Sequence, residues 1–353
     1  MKRKLKTKNI LILVSILLVI IIGVLLVLFA IPKKKTKKDN KPKTETKVKK
    51  PEVPKEKVDI INIESKTRPF AVVINNTPVA VKVQTGLNKA YIVYELPTEG
   101  ATSRLMALFK DSDDVTIGTI RSARHNFIDY AYESNAILIA HGWSVYAESQ
   151  LRNGAINYIN AMIHGKPFWR KNPEHLASEH TSYTSINKLK DFAYDSMKYK
   201  KESDSASKTV LLKYNVSDTD LSKMEGVKEA TEITIPYGNI VTKFKYDSEK
   251  KEYQRIVNGN ATKDYDTKEA HTAKNIIVQK IGYGMMDNNY YWDLHTTGSG
   301  SGYYITNGYA VPIKWSKSDR KAKTKYTYLD GKEIEVSDGR TYIEVAVRNS
   351  IIK

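Results

Sequence analysis

The chain has 353 residues, 41% hydrophobic and 10% aromatic, with no cysteine and a net charge of +18 from 57 basic and 39 acidic side chains. That length and composition build one or two domains with a real core, and they exclude a wholly disordered, collagen-like or coiled-coil chain. The missing cysteine excludes disulfides, thiolate metal sites, a cysteine nucleophile and a cysteine-borne lipid.

The charge is unevenly placed. Residues 1–57 hold 17 basic side chains against four acidic ones, a local charge of +13, whereas the remaining 40 against 35 leave only +5. The excess therefore belongs to a tail and carries no nucleic-acid signature by itself. No RNA-recognition, zinc-finger or helix-turn-helix pattern accompanies it, so no nucleic-acid partner is expected.

In chain order, residues 1–9 form a short basic tail, expected on the cytoplasmic side. Ile10 opens an apolar run that ends at Ile31 and is broken only by Ser15 and Gly23. At about 1.5 Å per residue, residues 10–31 reach roughly 33 Å, enough to cross a bilayer as one transmembrane helix. A cleaved signal would be shorter and end on a small-x-small site, but Leu28 fills the position two before Ala30. Lysines flank the run on both sides, so the positive-inside rule is nearly tied. We expect a single-pass membrane protein with its C-terminal part extracellular. Residues 32–65 are a disordered Lys/Pro-rich stalk, which either attracts anionic wall polymer or lipid head groups or acts only as a solubilising spacer.

The folded part reads as α+β. Strand-like runs at 70–76, 90–96, 104–110 and 136–142 alternate with helical spacing after Ser122, a candidate N-cap, and again over 184–200. Residues 66–203 are thus expected to form a mixed α/β lobe. From 204 to 353 helical periodicity fades into short Val-, Ile-, Tyr- and Thr-rich runs, a β-rich lobe, with two-residue hairpins expected at Asn307-Gly308 and Asp330-Gly331.

Several chemistries fall away. His175 and His180 would lie about 140° apart on a helix, which does not make a zinc motif. Ser185 to Lys188 fits S-x-x-K, but so do three other Ser-Lys spacings in this Lys-rich chain, and no K-T-G follows. The Gly-rich run 297–302 has no following helix and reads as a flexible turn or bulge. No metal site and no cofactor are expected.

What remains is a charged set. Glu95 and Glu99 close one strand, Arg104 begins the next, Arg121, Ser122 and Arg124 open a helix, and His141 ends a later strand. Strand ends and a helix start converge on one sheet edge, where sites form. With Arg170, His180 and Tyr183 from the following segment, these residues suit a phosphate or carboxylate. The alternative is that Glu95, Glu99, Arg104 and Arg124 only neutralise one another.

The runs RPFAVVINN from Arg68, QTGLNKAYIVYELPTEGATSRLMALF from Gln84, GTIRSAR from Gly118 and HTSYTS from His180 resemble the YerB-like lipoprotein family of Gram-positive bacteria. So do YQRIVNG with Arg255, DYDT with Asp264, AKNIIV with Asn275, the TTGSGSG run, IKWSK with Trp315 and Lys317, and DGRTYIEV. The resemblance spans residues 66–348. It implies an extracytoplasmic α+β protein with N- and C-terminal YerB-like domains and no defined activity. Relatives attach through a lipidated cysteine that this chain lacks, often carry an acidic residue where it has Asn75-Asn76, and have Asn where it has Thr181.

Two functions are weighed. One is a cell-envelope protein that binds an anionic ligand or an envelope protein partner between its lobes. The other is an envelope hydrolase or transferase in which Glu95, Glu99 and His180 are catalytic and Arg121 and Arg124 clamp a charged substrate.

Overall fold

The computed structural model describes residues 57–286, 290–347 and 349–353, so the basic tail, the apolar run 10–31 and most of the stalk lie outside the described residues. Phe70–Asn75, Ile92–Thr98 and Thr341–Ala346 are buried at every position. Strands without polar alternation must be covered on both faces, and these form the middle of an 11-stranded mixed sheet.

From one edge the sheet runs Lys228–Glu229, Tyr309–Lys317 with Lys325–Tyr328 also paired to it, Gly298–Thr306, Asn275–Lys280 and Thr341–Ala346. It continues through Ile92–Thr98, Thr102–Phe109, Phe70–Asn75, Ile137–Ala140 and Tyr158–Asn160. Every strand in the first group comes from beyond residue 203 and every one in the second from before it. The groups join where Ile92–Thr98 pairs in parallel with Thr341–Ala346, from Ile92 opposite Thr341 to Glu95 opposite Glu344.

The two faces receive different covers. Side chains such as Val73, Tyr94, Met106 and Ile343 pack under the helices His125–Tyr132 and Val145–Arg152, through Phe127, Ile128, Ala147 and Leu151. Their neighbours on the opposite face, Val72, Val93, Ile276 and Tyr342, meet Ile233, Ile235, Phe244 and Tyr253 of a second, six-stranded sheet. That second sheet is half-covered, and Glu232–Pro236 and Glu252–Val257 accordingly alternate buried and partly exposed residues. The result mixes few helices with many strands.

Local chemistry shifts several expected boundaries. The helix after Ser122 starts only at His125, with Arg124 at the N-cap, because Ser122 Oγ donates to His141 O at 3.1 Å instead of capping. The 184–200 helix is a short α-helix, Ile186–Lys190, capped by Ser185 and continued by the π-turn Asp191–Ser196. Asn307 and Gly308 form the expected two-residue hairpin with φ of 50° and 83°. At Asp330-Gly331 the loop has three residues instead, since Tyr328 N donates to Lys332 O at 2.8 Å.

The 297–302 run is neither turn nor bulge over most of its length but strand, Gly298–Thr306. Its glycines allow close approach: a Cβ on Gly302 would sit 2.1 Å from Val278 O on the neighbouring strand. Among the described residues, no helix is long and apolar enough to cross a membrane.

Candidate functional site

Phe70–Asn75 and Ile137–Ala140 run in parallel and end side by side, and crevices beyond such strand ends are where ligand sites form. The chain then builds a rim from two backbones. His141 N donates to Arg121 O at 3.1 Å, Ala123 N to Gly142 O at 3.0 Å and Ser144 N to Ala123 O at 3.1 Å, which ties residues 121–124 along 141–144. A third segment joins when Ile120 N donates to Ser182 O at 2.8 Å, bringing His180 and Arg170 to the same edge.

Two basic groups form there. Arg104 and Arg124 both hold Glu99: Arg104 Nη2 lies 3.1 Å from Glu99 Oε1, Arg124 Nε lies 2.8 Å from Oε2, and Arg124 Nη2 also contacts Oε1. Burial would raise the Glu99 carboxyl, but the Arg124 hydrogen bond and the Arg104 and Arg124 charges hold it down at about 2. Burial and the nearby Arg124 and Arg121 charges in turn push the Arg104 guanidinium down to about 9.

The second group is more open. Arg121 Nη2 reaches Glu179 Oε1 at 3.2 Å, with the Glu179 side chain 52% exposed. Asn75 Nδ2 donates to His180 Nδ1 at 2.8 Å, and Thr77 N donating to Asn75 Oδ1 at 3.2 Å fixes the amide's orientation. The His180 proton therefore sits on Nε2, which faces Glu179 Oε1 at 3.8 Å. Arginine only donates, so Arg170 Nη2 at 3.3 Å makes His141 Nε2 an acceptor and leaves Nδ1–H to donate to Ser182 Oγ at 2.7 Å.

Both imidazoles are held below the usual histidine range, mainly by burial. Arg170 and Arg121 add to the effect at His141; at His180, Glu179 opposes it and Arg121 adds to it. With both histidines neutral, four guanidiniums (Arg104, Arg121, Arg124, Arg170) face two carboxylates (Glu99, Glu179). The rim keeps a surplus of two positive charges.

Three sequence expectations need correction. Glu95 is fully buried, paired with Arg255 at 2.9 Å and hydrogen-bonded by Asn76, Ser103 and Thr242, so no substrate reaches it. Glu99 is neutralised by Arg104 and Arg124, whereas Glu95 pairs with Arg255 outside that set, so the two carboxylates sit in separate ion pairs and form no acid-base pair. Tyr183 is core: its OH donates to Val83 O at 2.9 Å, and its ring lies where a Cβ on Gly118 would stand, 2.3 Å from Cδ1. Arg121 and Arg124 do not form one clamp, because one turns to Glu179 and the other to Glu99.

The charged rim lies wholly within residues 75–182, whereas the sealed Glu95–Arg255 pair is one of the contacts that join the two halves of the chain. Residues 59–200 match the model of the protein of unknown function (DUF3048) N-terminal domain, and residues 233–343 match the DUF3048 C-terminal domain. The chain belongs to this family. The DUF3048 relative in Bacillus subtilis, the candidate lipoprotein YerB, is 30% identical over 283 residues, covering 79% of this chain and 81% of the relative. The crystal structure of Bacillus subtilis YerB superposes with a TM-score of 0.71 at 26% identity, covering 82% of this chain and 95% of that one. Within the DUF3048 frame, all the rim residues belong to the N-terminal domain.

Sequence reasoning missed Asn75, Glu179 and Ser182 as members of the rim. Asn75 stood out only as a departure from relatives, and Ser182 was inside the HTSYTS run without being singled out. Glu179 had no signal, since an exposed loop glutamate has no pattern. Among the described residues, no group of three or more His, Asp or Glu side chains is placed to hold a metal ion.

Proposed function

We propose that this chain is a membrane-tethered, extracytoplasmic binding protein of the cell envelope whose ligand is anionic and docks on the Arg121, Arg170, His141 and His180 rim. The observation that carries the reading is the surplus of two positive charges on a rim where Arg121 and Arg170 remain accessible. Guanidiniums offer forked donors to carboxylate or phosphate oxygens, and the neutral imidazole of His180 adds an N–H donor.

The lipoprotein naming of the Bacillus subtilis relative supports a location at the outer face of the membrane. Here residues 10–31 would supply the anchor in place of a lipid, and the Lys-rich residues 32–65 would add attraction for anionic wall polymer or lipid head groups. The hydrolase or transferase reading loses its footing, because it needs Glu95 or Glu99 free to exchange protons.

The test is a titration of the full chain in detergent with inorganic phosphate, followed by calorimetry, in wild type and in Arg121→Ala/Arg170→Ala. The stalk contributes equally to both proteins, so the difference reports the rim. At least a tenfold loss of affinity is expected in the variant; equal affinities would overturn the assignment.

A further inference from the structure

The rim already contains a carboxylate that behaves as a ligand would. Glu179 Oε1 lies between the Arg121 guanidinium, at 3.2 Å, and the His180 Nε2–H, at 3.8 Å. Arg121 Nη1 also touches the Glu179 main-chain oxygen at 3.4 Å. Unlike Glu99, whose side chain is 10% exposed and forked by two arginines, Glu179 is 52% exposed and makes a single ion-pair contact with Arg121. One carboxylate is sealed in and the other is free to swing out.

Given the anion-binding reading above, on which this inference rests, we propose that Glu179 is a built-in competitor that sets an affinity threshold at the site, one that oxyanions with more than one negative charge, of the phosphate-ester type, pass and monocarboxylates do not. Glu179 is held close to Arg121 and His180 by its own chain, and short tethers give effective concentrations in the millimolar range. An incoming monocarboxylate replaces a carboxylate already in place. It makes the same contacts, brings no additional charge and loses its translational freedom on binding. A phosphate dianion brings one charge more than it displaces, and its extra oxygens can take donors from Arg170 as well as Arg121.

The loop that carries Glu179 leaves room for this exchange. Ser178–His180 is a single 3-10 turn with no buried residue, and its hold on the body comes from neighbours. Arg170 Nη1 contacts Ser178 O, and Asn75 Nδ2 holds His180, so both binding groups stay in place when the Glu179 side chain leaves. Arg104, buried behind the rim, cannot follow an exposed ligand and is kept by Ser122 O at 2.7 Å.

The test compares inorganic phosphate with acetate on the full chain, in wild type, Glu179→Gln and Arg121→Ala, with thermal melts confirming that the exposed substitutions leave the fold intact. Wild type is expected to bind phosphate at least tenfold more tightly than acetate. A competitor weakens every ligand that displaces it by the same factor, so Glu179→Gln should tighten acetate and phosphate alike, each by severalfold, and bring acetate binding into the measurable range. If Glu179→Gln leaves both affinities unchanged or weakens them while Arg121→Ala abolishes phosphate binding, the competitor role is wrong and the binding function stands. If none of the three proteins binds phosphate, both fall.

Discussion

Arg255 and Glu95 meet at 2.9 Å with neither side chain exposed, and they come from the C-terminal and N-terminal family segments respectively. The pair ties the second sheet to the middle of the first. Around it, Arg255 Nη2 also donates to Asn76 Oδ1 at 3.0 Å, and Tyr237 OH donates to Glu344 Oε2 at 2.9 Å. Burial and the Glu95 charge push the Glu344 carboxyl well above the usual range. Removing one partner strands the other. Arg255→Met should cost about 3–5 kcal/mol in urea unfolding, and Glu95→Gln/Arg255→Met should recover part of that loss. Additive losses in the double variant would mean that the pair is not the source.

His271 predicts an acid sensitivity. Burial, with the Arg255 charge behind it, lowers the imidazole to about 3, well below the ordinary value near 6.5. A group whose folded value is depressed binds its proton more readily when unfolded, so its contribution is complete above about pH 6.5 and is lost as pH falls toward 3. The slope from this one residue reaches about 1.4 kcal/mol per pH unit. His271→Gln should flatten the acid limb of stability against pH between 6 and 4; an unchanged slope would clear His271 of the role.

Anion binding should strengthen on mild acidification. His141, facing Arg170, Arg121, Ser182 and Phe168, and His180, facing Glu179, Arg121 and Asn75, are both neutral at pH 7 because their values are lowered. A bound anion favours the imidazolium form, so binding takes up protons. The affinity for sulfate, which stays a dianion across this range, should rise from pH 7 to pH 5 at constant ionic strength, and His180→Gln should reduce the rise. A flat profile would place the histidines outside the ligand's reach.

Gly302 offers a test of the sheet itself. An added Cβ would stand 2.1 Å from Val278 O, a backbone atom that no rotamer change can move. Gly302→Ala should lower stability by about 1–3 kcal/mol through forced strand displacement, read as a shift of the melting midpoint. The neighbouring Ser301→Ala, at an exposed position, should leave the midpoint unchanged.

The sequence made some of this legible and hid the rest for physical reasons. The buried runs 70–75 and 137–140 stood out because strands covered on both faces are almost continuously apolar. The seam between the two strand groups did not, since parallel pairing of Ile92 with Thr341 joins residues far apart in the chain and leaves no local trace. Arg121, Arg124, His141 and His180 were identifiable as charge near strand ends. Which of them faced solvent was not, because Glu95 and Glu99 look alike in sequence and differ only in what closes over them. The Gly-rich strand was misread for a related reason: glycine marks both turns and close backbone approach, and only the neighbour at Val278 distinguishes them.

Thr341–Ala346, which lies between Asn275–Lys280 and Ile92–Thr98, follows the latter only after a long stretch of chain. A sheet whose middle strand arrives late cannot close until that strand does, whatever its earlier strands do. The N-terminal family segment therefore waits, with the edge of Ile92–Thr98 open, until Thr341–Ala346 has emerged. Such a topology makes the loss of this one strand open the sheet on both sides, at Asn275–Lys280 and at Ile92–Thr98.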